Sequence, residues 1–298
     1  MRSWNSAFFS PGTRARRSPG GSQCRVISGA VLSVVVLLLG LAPQRLSAQT
    51  WHAQTSGTSN HLRSVFFVDA NTGWAVGDGG TIRHMSNGGS TCTAQNSGTS
   101  RNLYAVAFAN AGTGWAVGSV GTIRHTSNGG STWTAQNSGT SSPLYAVAFA
   151  NAGMGWAVGG SGAILHTSNG GSTWSTQNSG TSHSLYAVAF ANAGTGWAVG
   201  LSGTILHTSN GGSTWTAQNS GTSNDLQGVA FVDANTGWAV GDGGTILHTS
   251  NGGTTWTAQN GGTFNYLLAV AFVDANTGWA VGASGTIRTP PTARCSSN

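Results

Sequence analysis

The sequence predicts an all-β fold, a six-bladed β-propeller built from four-stranded repeats of 41 residues. Three observations predict it. The motif Gly-Trp-Ala-Val-Gly recurs with its Trp at Trp74, Trp115, Trp156, Trp197, Trp238 and Trp279, always 41 residues apart. Within one period, short β-branched and aromatic runs alternate with Gly and Asn, and no run is long enough to carry a helical period. Four short strands per repeat, with turn residues between them, is the pattern of a propeller blade.

Taken in order, residues 1–48 read as an export signal. An acid-free stretch with Arg2, Arg14, Arg16, Arg17 and Arg25 precedes an apolar run from Val26 to Ala42, and Leu46-Ser47-Ala48 offers a small-residue cleavage site. An uncleaved anchor is the alternative, but the run is at the short limit for a membrane span and a cleavage site follows it, so cleavage is expected and no span after it. The mature chain is then secreted or periplasmic. Trp51-His52-Ala53-Gln54 matches Trp133-Thr134-Ala135-Gln136, the fourth strand of a unit. The first full units follow. One reads Leu103 to Phe108, a loop at Asn110-Ala111-Gly112-Thr113, then Gly114 to Gly118, Ser119-Val120, and Gly121 to Thr126. The turn Asn128-Gly129 and the strand Thr132 to Asn137 complete it. Asn-Gly between two strands is a hairpin signal, because a tight turn needs residues that tolerate positive φ. At the far end Leu267 to Arg288 supplies three strands before Pro290-Pro291 stops the pattern. The N-terminal strand is therefore expected to complete the last blade and close the ring, hiding sheet edges. The propeller spans residues 49–289, followed by a tail, 290–298.

The formal charge of +6 is local. Beyond residue 48, Arg63, Arg83, Arg101, Arg124, Arg288 and Arg294 balance Asp69, Asp78, Asp225, Asp233, Asp242 and Asp274, with no Lys and no Glu. Such a surface has no basic cluster to neutralise phosphates, so no nucleic-acid partner is expected. Cys24 lies in the signal. Cys92 and Cys295 are too few for a disulfide framework, and Cys92 stands where other units have Trp.

The turn Thr126-Ser127-Asn128-Gly129-Gly130-Ser131-Thr132-Trp133 resembles the Asp-box of BNR repeats. It recurs at Thr167 to Trp174, Thr208 to Trp215 and Thr249 to Trp256, with a degenerate copy from Met85 to Cys92. Joined to Gly-Trp-Ala-Val-Gly and Gly-Thr-Ile, the unit resembles the photosystem II assembly/stability factor family of exported propellers. That resemblance implies a non-enzymatic protein-binding role. It departs in two respects: the well-known members have seven blades and act through basic surface residues, whereas this chain has six units and few Arg.

Chemistry is sparse. The Asp-box reads as a structural device, since short polar turn residues satisfy local backbone groups. His84, His125, His166, His207 and His248 fill one repeat position, whose copies diverge radially and cannot converge on one ion, so no metal and no cofactor are expected. Asp-boxes also occur in sialidases, but there is no Glu here, and no Asp pair falls at the spacing glycoside hydrolysis needs. No enzyme is expected. Variation among the repeats concentrates in the blade-to-blade connections and the loops between strands two and three, which emerge on one face. That face is expected to present Arg63, Tyr104, Tyr145 and Tyr186 at the mouth of the central channel, with His61, Arg101, His183 and Asp225 nearby. Tyr and Arg favour protein interfaces. The expected partner is a protein, with glycan as the alternative, bound by a monomer.

Overall fold

The computed structural model describes residues 53–290. The expected export signal and cleavage site, with Trp51, His52, Cys24 and Cys295, lie outside the described residues. Ala53 and Gln54 belong to a unit separate from the repeats, which begin at Thr55.

The repeats fold as an all-β, six-bladed propeller of antiparallel meanders. In blade two the strands are Leu103–Phe108, Gly114–Gly118, Ile123–Thr126 and Thr134–Gln136, paired in sequence order. Blades one and three to five repeat this plan. Among the described residues the sixth sheet has three strands, Leu267–Phe272, Gly278–Gly282 and Ile287–Arg288. The strand expected to complete it begins outside the described residues. Single 3-10 turns, such as Gly160–Gly162 and Leu201–Gly203, join strands two and three.

The core lies between blades. In blades one to five the second strand is buried on both faces because sheets flank it, which is why Gly-Trp-Ala-Val-Gly shows no polar alternation. Its Trp stacks on the strand-one Phe of the next blade. The centroid separations are 3.7 Å for Trp74–Phe108, 3.5 Å for Trp115–Phe149, 3.6 Å for Trp156–Phe190, 3.4 Å for Trp197–Phe231 and 3.5 Å for Trp238–Phe272. The same Phe meets the Asp-box Trp of its own blade edge-on, at 5.9 Å for Phe149–Trp174. Each stacked or edge-on pair adds about 0.5–1.5 kcal/mol beyond its area burial.

A Gln at the end of strand four locks the same seam. Gln136 Nε2 donates to Gly170 O (3.0 Å), and its Oε1 accepts from Trp174 Nε1 (3.1 Å). Trp115 Nε1 donates to the same Gly170 carbonyl (3.2 Å). The seam before it and the two after it repeat this set. Gly171, at φ 82°, must be Gly, since a β-carbon there would overlap the Gln136 amide.

The Asp-box performs the structural task expected of it. Thr126 Oγ1 accepts from Gly130 N (2.8 Å) and donates to Asn128 Oδ1 (3.0 Å); Asn128 Oδ1 also accepts from Thr132 N (2.9 Å). All these bonds stay inside the turn. In blade one, where the box is degenerate, strand three runs on to Ser86 and strand four starts at Thr91.

Candidate protein-binding face

Strand one is the innermost strand, and the strand-one segments of successive blades pack on one another from blade one to blade six. At its second residue every copy carries a β-bulge. The register jumps across Arg63, Tyr104, Tyr145, Tyr186, Gln227 and Leu268 in turn. A bulge leaves one residue out of the ladder and re-aims its side chain. The cause lies at the end of strand two. Its last Gly meets the connection entering the blade: Ser119 N donates to Asn102 O (2.9 Å), and a β-carbon at Gly118 would overlap that carbonyl.

The bulged residues form a row. Arg63 Cζ lies 5.5 Å from the Tyr104 ring centroid, Tyr104 and Tyr145 are 5.8 Å apart, and Tyr145 and Tyr186 are 5.7 Å apart. The three Tyr are half-buried. Arg63 is held by a two-pronged pair with Asp78, Nε to Oδ1 at 2.5 Å and Nη2 to Oδ2 at 3.0 Å. The guanidinium holds the Asp78 carboxyl below the usual carboxylate range, and the carboxylate in turn raises Arg63. Burial, then the neighbouring Asp225, Tyr145 and Asp242, pushes the Tyr186 phenol up. The Tyr186 hydroxyl is therefore a neutral donor at physiological pH.

The other expected site residues divide. His183 Nδ1 bonds Thr204 Oγ1 (2.8 Å), as Asn60 and Asn224 bond Thr81 and Thr245 in their blades. Arg101 Nη1 donates to Val120 O (2.9 Å). Asp225 Oδ1 accepts from Ser202 N of the preceding blade (2.8 Å), the bond that Asn102 makes to Gly79 (2.9 Å). These side chains clip the connections to the loops between strands two and three. His61 is exposed beside that rim. The structure thus brings Arg63, Tyr104, Tyr145 and Tyr186 into one row and sets Arg101, His183 and Asp225 around it as supports. Val120, which the sequence reading passed over, is 49% exposed on the same rim with φ 54°, a conformation a β-branched residue rarely adopts.

All six Asp side chains are engaged by their own surroundings. Asp69, Asp233 and Asp274 each accept two backbone N–H groups within their loop. Asp78 pairs with Arg63, Asp225 takes Ser202 N, and Asp242 Oδ1 accepts from Gln227 Nε2 (3.2 Å). The His row packs on the Trp of blades one to five, at 4.9–5.1 Å between centroids, and burial holds those imidazoles below their ordinary value. Among the described residues no group of three metal-ligating side chains occurs.

Solved structures similar in fold include a YCF48 bound to a D1 peptide, 20% identical over 82% of this chain and 98% of that one, with a TM-score of 0.47. The YCF48 of Cyanidioschyzon merolae is 19% identical over 78% of this chain and 97% of that one, at 0.46. A GH74 enzyme of Niastella koreensis is 16% identical and gives 0.62, over 76% of this chain and 44% of that one. No curated protein matches the sequence. The model of one family, the photosynthesis system II assembly factor YCF48, matches four overlapping stretches, residues 43–136, 92–179, 132–219 and 176–260. Together these cover well over half of the chain, which therefore belongs to the YCF48 family of photosynthesis system II assembly factors.

Proposed function

We propose that this chain is a non-enzymatic protein-binding module that helps assemble a complex, and that it grips its partner through the row Arg63, Tyr104, Tyr145 and Tyr186. The observation that carries the reading is the row itself. Four bulges set amphipathic side chains in one row, where half-buried Tyr rings offer apolar faces and hydroxyl donors at low entropic cost. The family's description as an assembly factor supports a protein partner. The non-enzymatic reading is supported by the six Asp, each already holding donors of its own loop. Export out of the cytoplasm is part of the proposal, on the N-terminal sequence.

A second reading, glycan binding, is favoured by the same ring faces, since Tyr rings stack on sugars as readily as on side chains. The test separates the two. The wild-type chain and a Tyr145→Ala/Tyr186→Ala variant serve as bait in an envelope extract of the source cells, and both are titrated with soluble polysaccharides. A protein retained by the wild type and lost by the variant, at unchanged melting temperature, is the expected result. Equal retention by both baits would sink the assignment of the site. Polysaccharide binding without protein capture would replace the first reading by the second.

A further inference from the structure

We propose that a groove at the outer edge of the seam between blades three and four receives an arginine side chain of the bound protein. The inference rests on the protein-binding reading and adds to it a second contact, on other strands than the Tyr row. The groove offers about 320 Å³. It is lined by Ser179, Gly180 and Thr181 of the connection entering blade four, by Leu206 of its third strand, and by Trp215 and Gln218.

The chain itself shows what fits there. The repeat position of Leu206 is Arg in blades one, two and six, at Arg83, Arg124 and Arg288, and Leu in blades three, four and five. Each Arg reaches the connection entering its own blade. Arg124 Nη2 donates to Gly98 O (2.7 Å), and Arg83 Nη2 donates to Gly57 O. Arg288 spans two adjacent carbonyls, with Nε on Gly261 O (2.6 Å) and Nη2 on Gly262 O (3.0 Å). Gly180 is the blade-four copy of Gly57, Gly98 and Gly262. A β-carbon built on Gly98 would meet Arg124 Nη1 at 3.3 Å, and one on Gly57 would meet Arg83 Nη1 at 3.6 Å. One built on Gly180 meets nothing within 4 Å. Leu206 has no N–H to offer, so the Gly180 carbonyl and the space beside it are left to a donor from outside. The two nitrogens of Arg288 select for a planar fork, which an ammonium group does not present. The stem of an incoming Arg would lie along Leu206 and Trp215, as long cationic side chains do on apolar surface. Blade two sets Arg101 near Arg124, and the like charge disfavours the Arg124 guanidinium. Blade four has His183 at that position, tied to Thr204 Oγ1 (2.8 Å), so an incoming guanidinium meets no second one.

The test titrates the isotope-labelled full chain with acetyl-Gly-Arg-Gly-amide and with acetyl-Gly-Lys-Gly-amide, and follows the Trp indole N–H signals by nuclear magnetic resonance. Trp215→Phe identifies the Trp215 signal. The expected result is a saturable shift of that signal by the Arg peptide, with several-fold weaker binding of the Lys peptide. Leu206→Arg should abolish the shift while holding or raising the melting temperature, because Arg already stands at this position in three blades. Arg124→Leu should open the corresponding groove of blade two and make Trp133 respond as well. Tyr145→Ala/Tyr186→Ala should bind the Arg peptide as the wild type does, so failure of the groove and failure of the Tyr row are read apart. No shift at Trp215 in the full chain, whether the groove is closed or already held by an arginine of residues 1–52, would overturn the proposal. So would equal binding of the two peptides, or a shift that survives Leu206→Arg or disappears with the Tyr pair. If Leu206→Arg loses its β-sheet spectrum, Arg124→Leu carries the test, and a silent Trp133 there overturns it.

Discussion

The Gln that locks each seam can be tested by removing one. Gln177→Ala deletes two bonds at the seam between blades three and four: Nε2 to Gly211 O (3.0 Å) and the acceptor for Trp215 Nε1 (3.0 Å). The consequences differ for the two partners. Gly211 O keeps the bond from Trp156 Nε1 (3.1 Å), so that carbonyl stays satisfied. Trp215 is 8% exposed, so its N–H is stranded away from water. Stranding a donor costs about 1–3 kcal/mol, and the net loss of a bond about 1 kcal/mol. The expected destabilisation is about 2–3 kcal/mol, or roughly 4–12 °C in melting temperature for a domain of this size. The assay is urea unfolding followed by far-ultraviolet circular dichroism, with Gln177→Ala measured in the wild type and in Trp215→Phe. The Phe background has no indole N–H to strand, so there the substitution should cost about 1 kcal/mol less. Equal costs in both backgrounds, within about 0.5 kcal/mol, would refute the assignment of the Gln as the acceptor that holds the seam.

Acid should loosen the fold. Burial holds His84, His125, His166, His207 and His248 below the ordinary 6.5. Just below pH 6.5 the unfolded chain therefore binds more protons than the folded one, so stability is fully present above that pH and falls as pH drops toward the folded values. The urea midpoint should be lower at pH 5.5 than at pH 7.5, with a smaller difference in His166→Phe; a midpoint that rises on acidification would contradict this. At the rim, Val120 holds φ 54°, where units three, four and six have Ser and units one and five have Gly. Val120→Asn should stabilise by about 1 kcal/mol, because Asn tolerates the left-handed region; an unchanged urea midpoint would mean that the strain is relieved elsewhere.

Much of this was legible in the sequence because the chain states its rule six times. The period gives the blade, Asn-Gly gives the turn, and Thr-Ser-Asn-Gly-Gly-Ser/Thr-Thr-Trp gives the Asp-box, since each is a local pattern with a local cause. The row Arg63, Tyr104, Tyr145 and Tyr186 was also legible, as a position at which repeats differ. Its bulge was not. Leu103-Tyr104-Ala105-Val106 reads as an unbroken strand, and the bulge arises only where the incoming connection meets Gly118. Arg101, His183 and Asp225 looked like a variable surface for the same reason. Their partners, Val120 O, Thr204 Oγ1 and Ser202 N, lie 19, 21 and 23 residues away in sequence.

The sequence by itself determined the all-β class, the six units and the neutrality of the repeats, because periodicity and composition are properties of a chain before it folds. The tertiary structure decided which identical residues do different work. Val199 is sealed at 0% exposure and Val281 stands at 39%, although both sit in the same pentapeptide. Burial is set by what packs alongside, and that is a property of position in the fold and not of the pentapeptide.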